Sequence, residues 1–127
     1  MAPYQAEAPY GGQIPPRGDR HNTGKPKLSL VFDAPVALRQ AAEVLEQGIE
    51  EYGRCNWKKG LPLTEIIDSL LRHTLAFQNG ENLDPKSGKP HTAHIMCNAL
   101  FLAQLAETRP DCDDRERSDA RATGIKS

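Results

Sequence analysis

Apolar positions between Pro35 and Glu107 recur with the period of an α-helix in three segments. In the first, Leu38, Ala42, Leu45, Ile49 and Tyr52 fall at i, i+4, i+7, i+11 and i+14, one stripe of a helix from about Pro35 to Tyr52. Pro35 suits a first helical turn, where its missing N–H costs nothing, and Gly53 suits the stop. The second segment runs from about Leu63 to Gln78, with Ile66, Ile67, Leu70, Leu71, Thr74 and Phe77 on one side. Pro62 and Thr64 are its start signals, and Asn79 and Gly80 end it. The third, from about Thr92 to Glu107, differs: Ile95, Met96, Ala99, Leu100, Phe101, Leu102, Ala103 and Leu105 put apolar groups nearly all the way round, so this helix is buried on most sides. Only LSLVF, Leu28 to Phe32, alternates over a strand's length, and it reads as a short edge strand or an extended N-terminal arm. The pattern predicts an all-α domain of antiparallel helices, with an oligomer completing the bundle.

Composition sets the limits of that domain. Residues 1–24 carry Pro3, Pro9, Pro15 and Pro16 with four glycines, and the only aliphatics longer than Ala are Met1 and Ile14, too little to offset the entropy of ordering. Residues 109–127 hold five basic and five acidic groups and almost no aliphatics, and read as a disordered charged tail. The folded unit is then residues 25–108, small enough that a partner subunit is expected. A formal charge of -1 over the 127 residues gives no electrostatic footprint for nucleic acid or an anionic bilayer. No apolar run approaches the roughly 20 residues of a membrane span, and the N-terminus lacks a secretory profile. Cys55, Cys97 and Cys112 are odd in number, show no CxxC spacing and fit a reducing compartment, so a cytoplasmic protein is expected.

Several polar residues do not fit a purely structural bundle. His91, His94 and Asn98, at i, i+3 and i+7, line one narrow stripe of the third helix. Imidazole and amide groups are costly to bury without partners, so the stripe is either a polar network between subunits or a site. His73 lies towards the end of the second helix, and antiparallel pairing through the Asn79 to Pro90 loop brings it near His91 and His94. That loop adds Glu81 and Asp84 at the same end. Hard oxygen and borderline nitrogen donors would then converge in a set suited to Mg²⁺ or Mn²⁺, unless the two acids simply cap the loop. Glu43 and Glu46, followed by Glu50, and then Glu65 and Asp68 are acidic pairs at i, i+3, each able to share a cation or to form a solvated face. Asn56, Trp57, Lys58 and Lys59 set a stackable aromatic and an amide beside basic groups, a combination that suits a purine and its phosphates. Lys25 and Lys27 precede the first ordered segment and could meet phosphates. Neither GxxxxGKT nor GxGxxG occurs, and no Ser or Cys sits in a nucleophile motif.

The runs GKPKLSLV, EEYGRCNWKKG and DSLLRHTLAFQNGENLDPKSGKPHTAHIMCNALFL resemble the phage and bacterial dATP/dGTP diphosphohydrolase family, a branch of the MazG-like all-α nucleotide pyrophosphatases. The resemblance spans about Gly24 to Leu105. Its most specific part is Asp68, Arg72, His73, Gly80, Glu81, Asp84, Ser87, Gly88, His91, His94 and Asn98, with Tyr52, Asn56 and Trp57 matching a shorter element. It implies a MazG-like helical bundle built as a homodimer or homotetramer. It also implies hydrolysis of a purine nucleoside triphosphate to monophosphate and pyrophosphate with Mg²⁺ or Mn²⁺. In phages that replace adenine with 2-aminoadenine, a family member called MazZ would supply dGMP for the modified base, in the host cytoplasm. The family's Glu-x-x-Glu and Glu-x-x-Asp pairs can be read as Glu43 with Glu46 and Glu65 with Asp68. Aligning the LFL run instead makes Glu65 and Asp68 the first pair and puts Asn98 where Asp is expected. Glu51 departs from the lysine expected before Tyr-Gly.

Hydrolysis at the α-phosphorus needs charge neutralisation and a positioned water. On this reading Glu46, Glu65 and Asp68 hold metal from the helices, and Glu81 and Asp84 hold it from the loop. Glu65, Asp68 and His94 carry catalysis, while His91, His94 and Asn98 orient phosphate or the carboxylates. Lys27, Lys58 or Lys59 neutralises remaining charge, and Asn56 with Trp57 contacts the base. The rivals are a non-catalytic nucleotide-binding regulator on the same scaffold and a structural protein whose polar stripe fixes helix register.

Overall fold

The computed structural model describes residues 18–117 together with Pro16. Three α-helices carry the fold: α1 (Pro35–Tyr52), α2 (Leu63–Gln78) and α3 (His91–Thr108). Short 3-10 turns occupy Leu28–Asp33, Asn56–Lys59 and Pro110–Cys112, and no strand occurs among the described residues. α1 opens on Pro35 and closes at Gly53, whose φ of 85° is open to glycine and whose N–H donates to the Ile49 carbonyl at 2.8 Å. The bounds of α1 and α2 match those the sequence predicts, and α3 is longer by one residue at each end, but Leu71, Thr74 and Phe77 of the predicted α2 face are exposed.

α3 is the central helix. It packs along α2 and, less extensively, against α1, while α1 and α2 share no extended interface. The burial of α3 is less complete than its apolar sequence predicts, since Ala99, Leu100 and Ala103 are exposed on the face that meets neither helix. Leu105, fully buried, meets Leu63 and Ile66 of α2, and Trp57, Leu61, Phe101, Leu102 and Cys112 close round them. The α1 contact uses small groups: Ala41 is buried, and the Cys97 thiol donates to its carbonyl at 3.4 Å. Burial pushes the Cys97 thiol up to about 11, leaving it an inert packing group.

Three further expectations change. The stripe of α1 that faces α3 is centred on Ala41, with Leu38, Val44 and Leu45 half-buried, whereas Ala42, Ile49 and Tyr52 are exposed. Leu28–Asp33 is not an extended arm. With no strand to pair with, its backbone closes on itself, Leu30 N–H to Lys27 and Ala34 N–H to Val31. Nor is the segment from Arg109 structureless as far as Asp114. The Arg109 guanidinium donates to the Lys59 carbonyl, Cys112 joins the core, and Asp114 accepts from Thr64 N–H at 2.9 Å and Thr64 hydroxyl at 2.6 Å. A charged segment is held here by capping the first turn of α2 rather than by apolar burial. Residues 1–15, Arg17 and residues 118–127 of the expected tails lie outside the described residues.

Leu28, Leu30, Val31, Phe32 and Val36 are exposed together at the start of α1, and Leu71 and Leu75 are exposed one turn apart on α2. No helix among the described residues is long and apolar enough to cross a membrane.

Candidate functional site

The loop from Asn79 to Pro90 sets the geometry of one end of the bundle. Asp84 N–H donates to the Lys89 carbonyl at 2.8 Å and Gly88 N–H to the Asp84 carbonyl at 2.7 Å, while Leu83 and Pro90 form an isolated bridge. The Asp84 carboxylate accepts from the Ser87 and Lys86 backbone N–H groups, and Gln47 of α1 donates to the Ser87 carbonyl at 3.2 Å. Lys89 reaches Glu43 of α1 at 3.8 Å. The loop is therefore fastened to both α1 and α3.

Against it the histidines converge as the antiparallel reading predicts. His91, only 3% exposed, places Nε2 2.7 Å from Glu81 Oε1 and Nδ1 2.8 Å from His73 Nδ1. In the His73–His91 contact one ring nitrogen donates and the other accepts, and the second nitrogen of His91 faces the Glu81 carboxylate. His73 and His94 stack with centroids 4.4 Å apart and planes at 5°. Burial, together with each other's proximity or that of His91, pushes both imidazoles below their ordinary pKa. For Asp84, burial would push the carboxyl up, but the hydrogen bonds from Ser87 and Lys86 and the nearby His94 outweigh it and hold it below the usual range. Ser87 Oγ lies 2.7 Å from His94 Nε2, and Asp84 Oδ2 lies 3.6 Å from the same nitrogen. An acid that oriented a base for nucleophilic attack would hold the other ring nitrogen, so this trio is not a nucleophilic triad. These groups are bonded to one another, and among the described residues no set of three or more His, Cys, Asp or Glu is arranged to hold a metal ion.

Three neighbouring hollows that share lining residues, together termed the groove, lie between this end and the rest of the bundle. The first, about 400 Å³, is lined by Leu61, Glu65, Asp68, Ser69, Arg72, Asn98 and Phe101. The second, about 480 Å³ and mainly apolar, shares Leu61 and Phe101 with it and adds Leu45, Gln47, Glu51, Asn56, Trp57 and His94. The third, about 600 Å³, brings Glu50, Glu51, Ser69, His73, Asp84, Ser87 and His94 together. Trp57 and Phe101 stack at 4.8 Å, with the Lys58 ammonium 5.9 Å from the indole centroid. Asn98 Nδ2 donates to Ser69 Oγ at 3.2 Å, which leaves its carbonyl oxygen for another partner.

Of the residues singled out from the sequence, Glu65, Asp68, Asn98, Asn56, Trp57, His94 and Asp84 line this groove. Glu81 and His91 stand behind His73, outside the lining. Glu46 is exposed and lines none of the three hollows, and Lys59 faces a separate hollow beside Arg109 and Cys112. Lys27 is exposed at the start of the first 3-10 turn. The structure thus brings Glu65 and Asp68 to Asn98, and not to Glu43 and Glu46. Sequence reasoning left out Arg72, Ser69 and Phe101 as lining residues. Ser69 and Arg72 follow Glu65 at i+4 and i+7, a signal that was available.

Residues 15–115 match the family described as dATP/dGTP diphosphohydrolase, N-terminal. A dATP/dGTP diphosphohydrolase of Salmonella phage PMBT28 is 35% identical over 109 residues, 86% of this chain and 36% of the relative. The chain thus spans about a third of that relative's length. No solved structure shows a significant match. With the family match covering most of its length, the chain belongs to the dATP/dGTP diphosphohydrolase family, in the part described as N-terminal.

Proposed function

We propose that the chain hydrolyses purine deoxynucleoside triphosphates, dGTP and dATP, to the monophosphate and pyrophosphate with Mg²⁺ or Mn²⁺. The observation that carries this reading is the sharing of Leu61 and Phe101 by two neighbouring hollows, one lined by the Glu65 and Asp68 carboxylates and the other by Trp57 and Asn56. A purine on the aromatic floor would place its phosphates towards the carboxylates or the histidine end.

Two carboxylates and the free amide oxygen of Asn98 suit a hard divalent ion that takes its remaining ligands from substrate phosphates. Such an ion, when bound, neutralises phosphate charge and lowers the pKa of the attacking water. Glu65 and Asp68 hold their carboxylates on one wall by their i, i+3 spacing on α2, and Arg72 adds a guanidinium for the phosphate chain. His94, at the junction of the two larger hollows, orients phosphate. Asp84 borders the third hollow and is within reach of a phosphate there. Glu81 is engaged by His91 and Glu46 lies on the exposed side of α1, so both would join a metal site only through a second subunit or a rearrangement. The exposed apolar side chains of α1 and α2 favour a homodimer or homotetramer. Supply of dGMP for 2-aminoadenine DNA in a phage is the finer form of the reading.

The test is product analysis of each dNTP and NTP in Mg²⁺ and in Mn²⁺. Equal amounts of monophosphate and pyrophosphate from purine substrates are expected. Binding without turnover by folded protein would leave the regulator in its place.

A further inference from the structure

Glu51 has a setting that hydrolysis of the phosphate chain does not explain. It sits on the last turn of α1 and lines both the apolar hollow with Trp57, Phe101 and Asn56 and the polar hollow with His73 and His94. Among the described residues no Lys, Arg or His forms an ion pair with it, and its one side-chain partner is the neighbouring Tyr52 hydroxyl, whose pKa it raises. Gln47, one turn earlier on the same helix face, is fixed by its bond to the Ser87 carbonyl and stiffens the wall beside it. A carboxylate is an acceptor only, with two oxygens side by side. It therefore fits an edge that offers two adjacent donors and repels one that offers a lone pair.

Guanine offers such an edge, N1–H beside the 2-amino group. Adenine has a bare N1 at the same place. We propose that Glu51 selects guanine over adenine, its carboxylate accepting from N1–H and the 2-amino group of a base stacked along the Trp57–Phe101 floor. The proposal rests on the reading of that hollow as the base site. The bidentate pair gives the attraction, and the lone pair of adenine N1 against the carboxylate gives the rejection. Hypoxanthine keeps N1–H and loses the amino group, so it falls between the two.

Binding of the monophosphates separates this proposal from the hydrolytic one, because it needs no turnover. Titration of the full chain with dGMP, dIMP and dAMP should give affinities in that order, with dGMP ahead of dAMP by roughly tenfold to a hundredfold. In Glu51→Gln, which replaces one of the two acceptors by a donor, the dGMP to dAMP ratio should collapse towards one. Glu51 is exposed, and circular dichroism checks that the variant is folded. Equal affinities in the unaltered chain, a preference for dAMP, or a ratio unchanged in Glu51→Gln would overturn the proposal. None of those results would touch hydrolysis, which product analysis decides separately. Guanine-selective binding lost in Glu51→Gln, without turnover, would uphold the proposal and sink the enzyme.

Discussion

The two polar regions of the bundle hold similar residue types and treat them in opposite ways. At the loop end, Glu81, His91 and His73 form a chain of hydrogen bonds, and Asp84, Ser87 and His94 form another. On the α2 wall, Glu65, Asp68 and Arg72 face an open hollow with no side-chain hydrogen bond or ion pair among the described residues. Convergence of polar groups alone does not mark a reactive site. A bonded network holds the loop in place, whereas exposed carboxylates and a guanidinium with no partner among the described residues are free to take a ligand.

The contrast sets different outcomes for the two regions. Asp68→Asn and Glu65→Gln should lower dGTP turnover by at least about a hundredfold while leaving thermal stability nearly unchanged, since neither carboxylate holds the fold together. His91→Ala should act the other way round. It removes a buried imidazole bonded to Glu81 and His73, and the melting transition should report a loss of roughly 1–3 kcal/mol. Trp57→Ala should weaken monophosphate binding by roughly tenfold or more through lost stacking, with Trp57→Phe recovering most of it.

The smallest effect is that of pH on stability. His73 and His94 have folded-state pKa values below the ordinary 6.5, so below that pH the unfolded chain binds more protons than the folded one. Their contribution is therefore intact above about pH 6.5 and is lost as pH falls through that value towards the lowered ones. Melting temperature should drop between pH 7.5 and 5.5, and His94→Asn should flatten part of the drop.

Much of this was legible in the sequence. The helix limits followed from strong periodicity bounded by Pro35, Gly53, Pro62 and Asn79, and the meeting of His73 with His91 and His94 followed from antiparallel pairing alone. Adjacent alanines hid which stripe of α1 faces inward, because Ala41 and Ala42 carry the same hydrophobic signal. Glu46 lies apart from the three hollows and Lys59 beside a fourth, because spacing fixes a residue's face but not which face the bundle encloses. The Arg109 to Asp114 segment was read as tail because it is held by capping and guanidinium bonds, which leave no apolar pattern. Arg72 stands in the most specific part of the family resemblance, but no role was read for it although it continues the Glu65 and Asp68 face.

One measurement goes to the heart of the assignment: pyrophosphate release from dGTP by the unaltered chain, Asp68→Asn and Glu46→Gln, side by side at saturating Mg²⁺. If the α2 wall is the reactive site, Asp68→Asn loses turnover and Glu46→Gln keeps it. Loss in Glu46→Gln with retention in Asp68→Asn would contradict the assignment and move the chemistry to the outer face of α1.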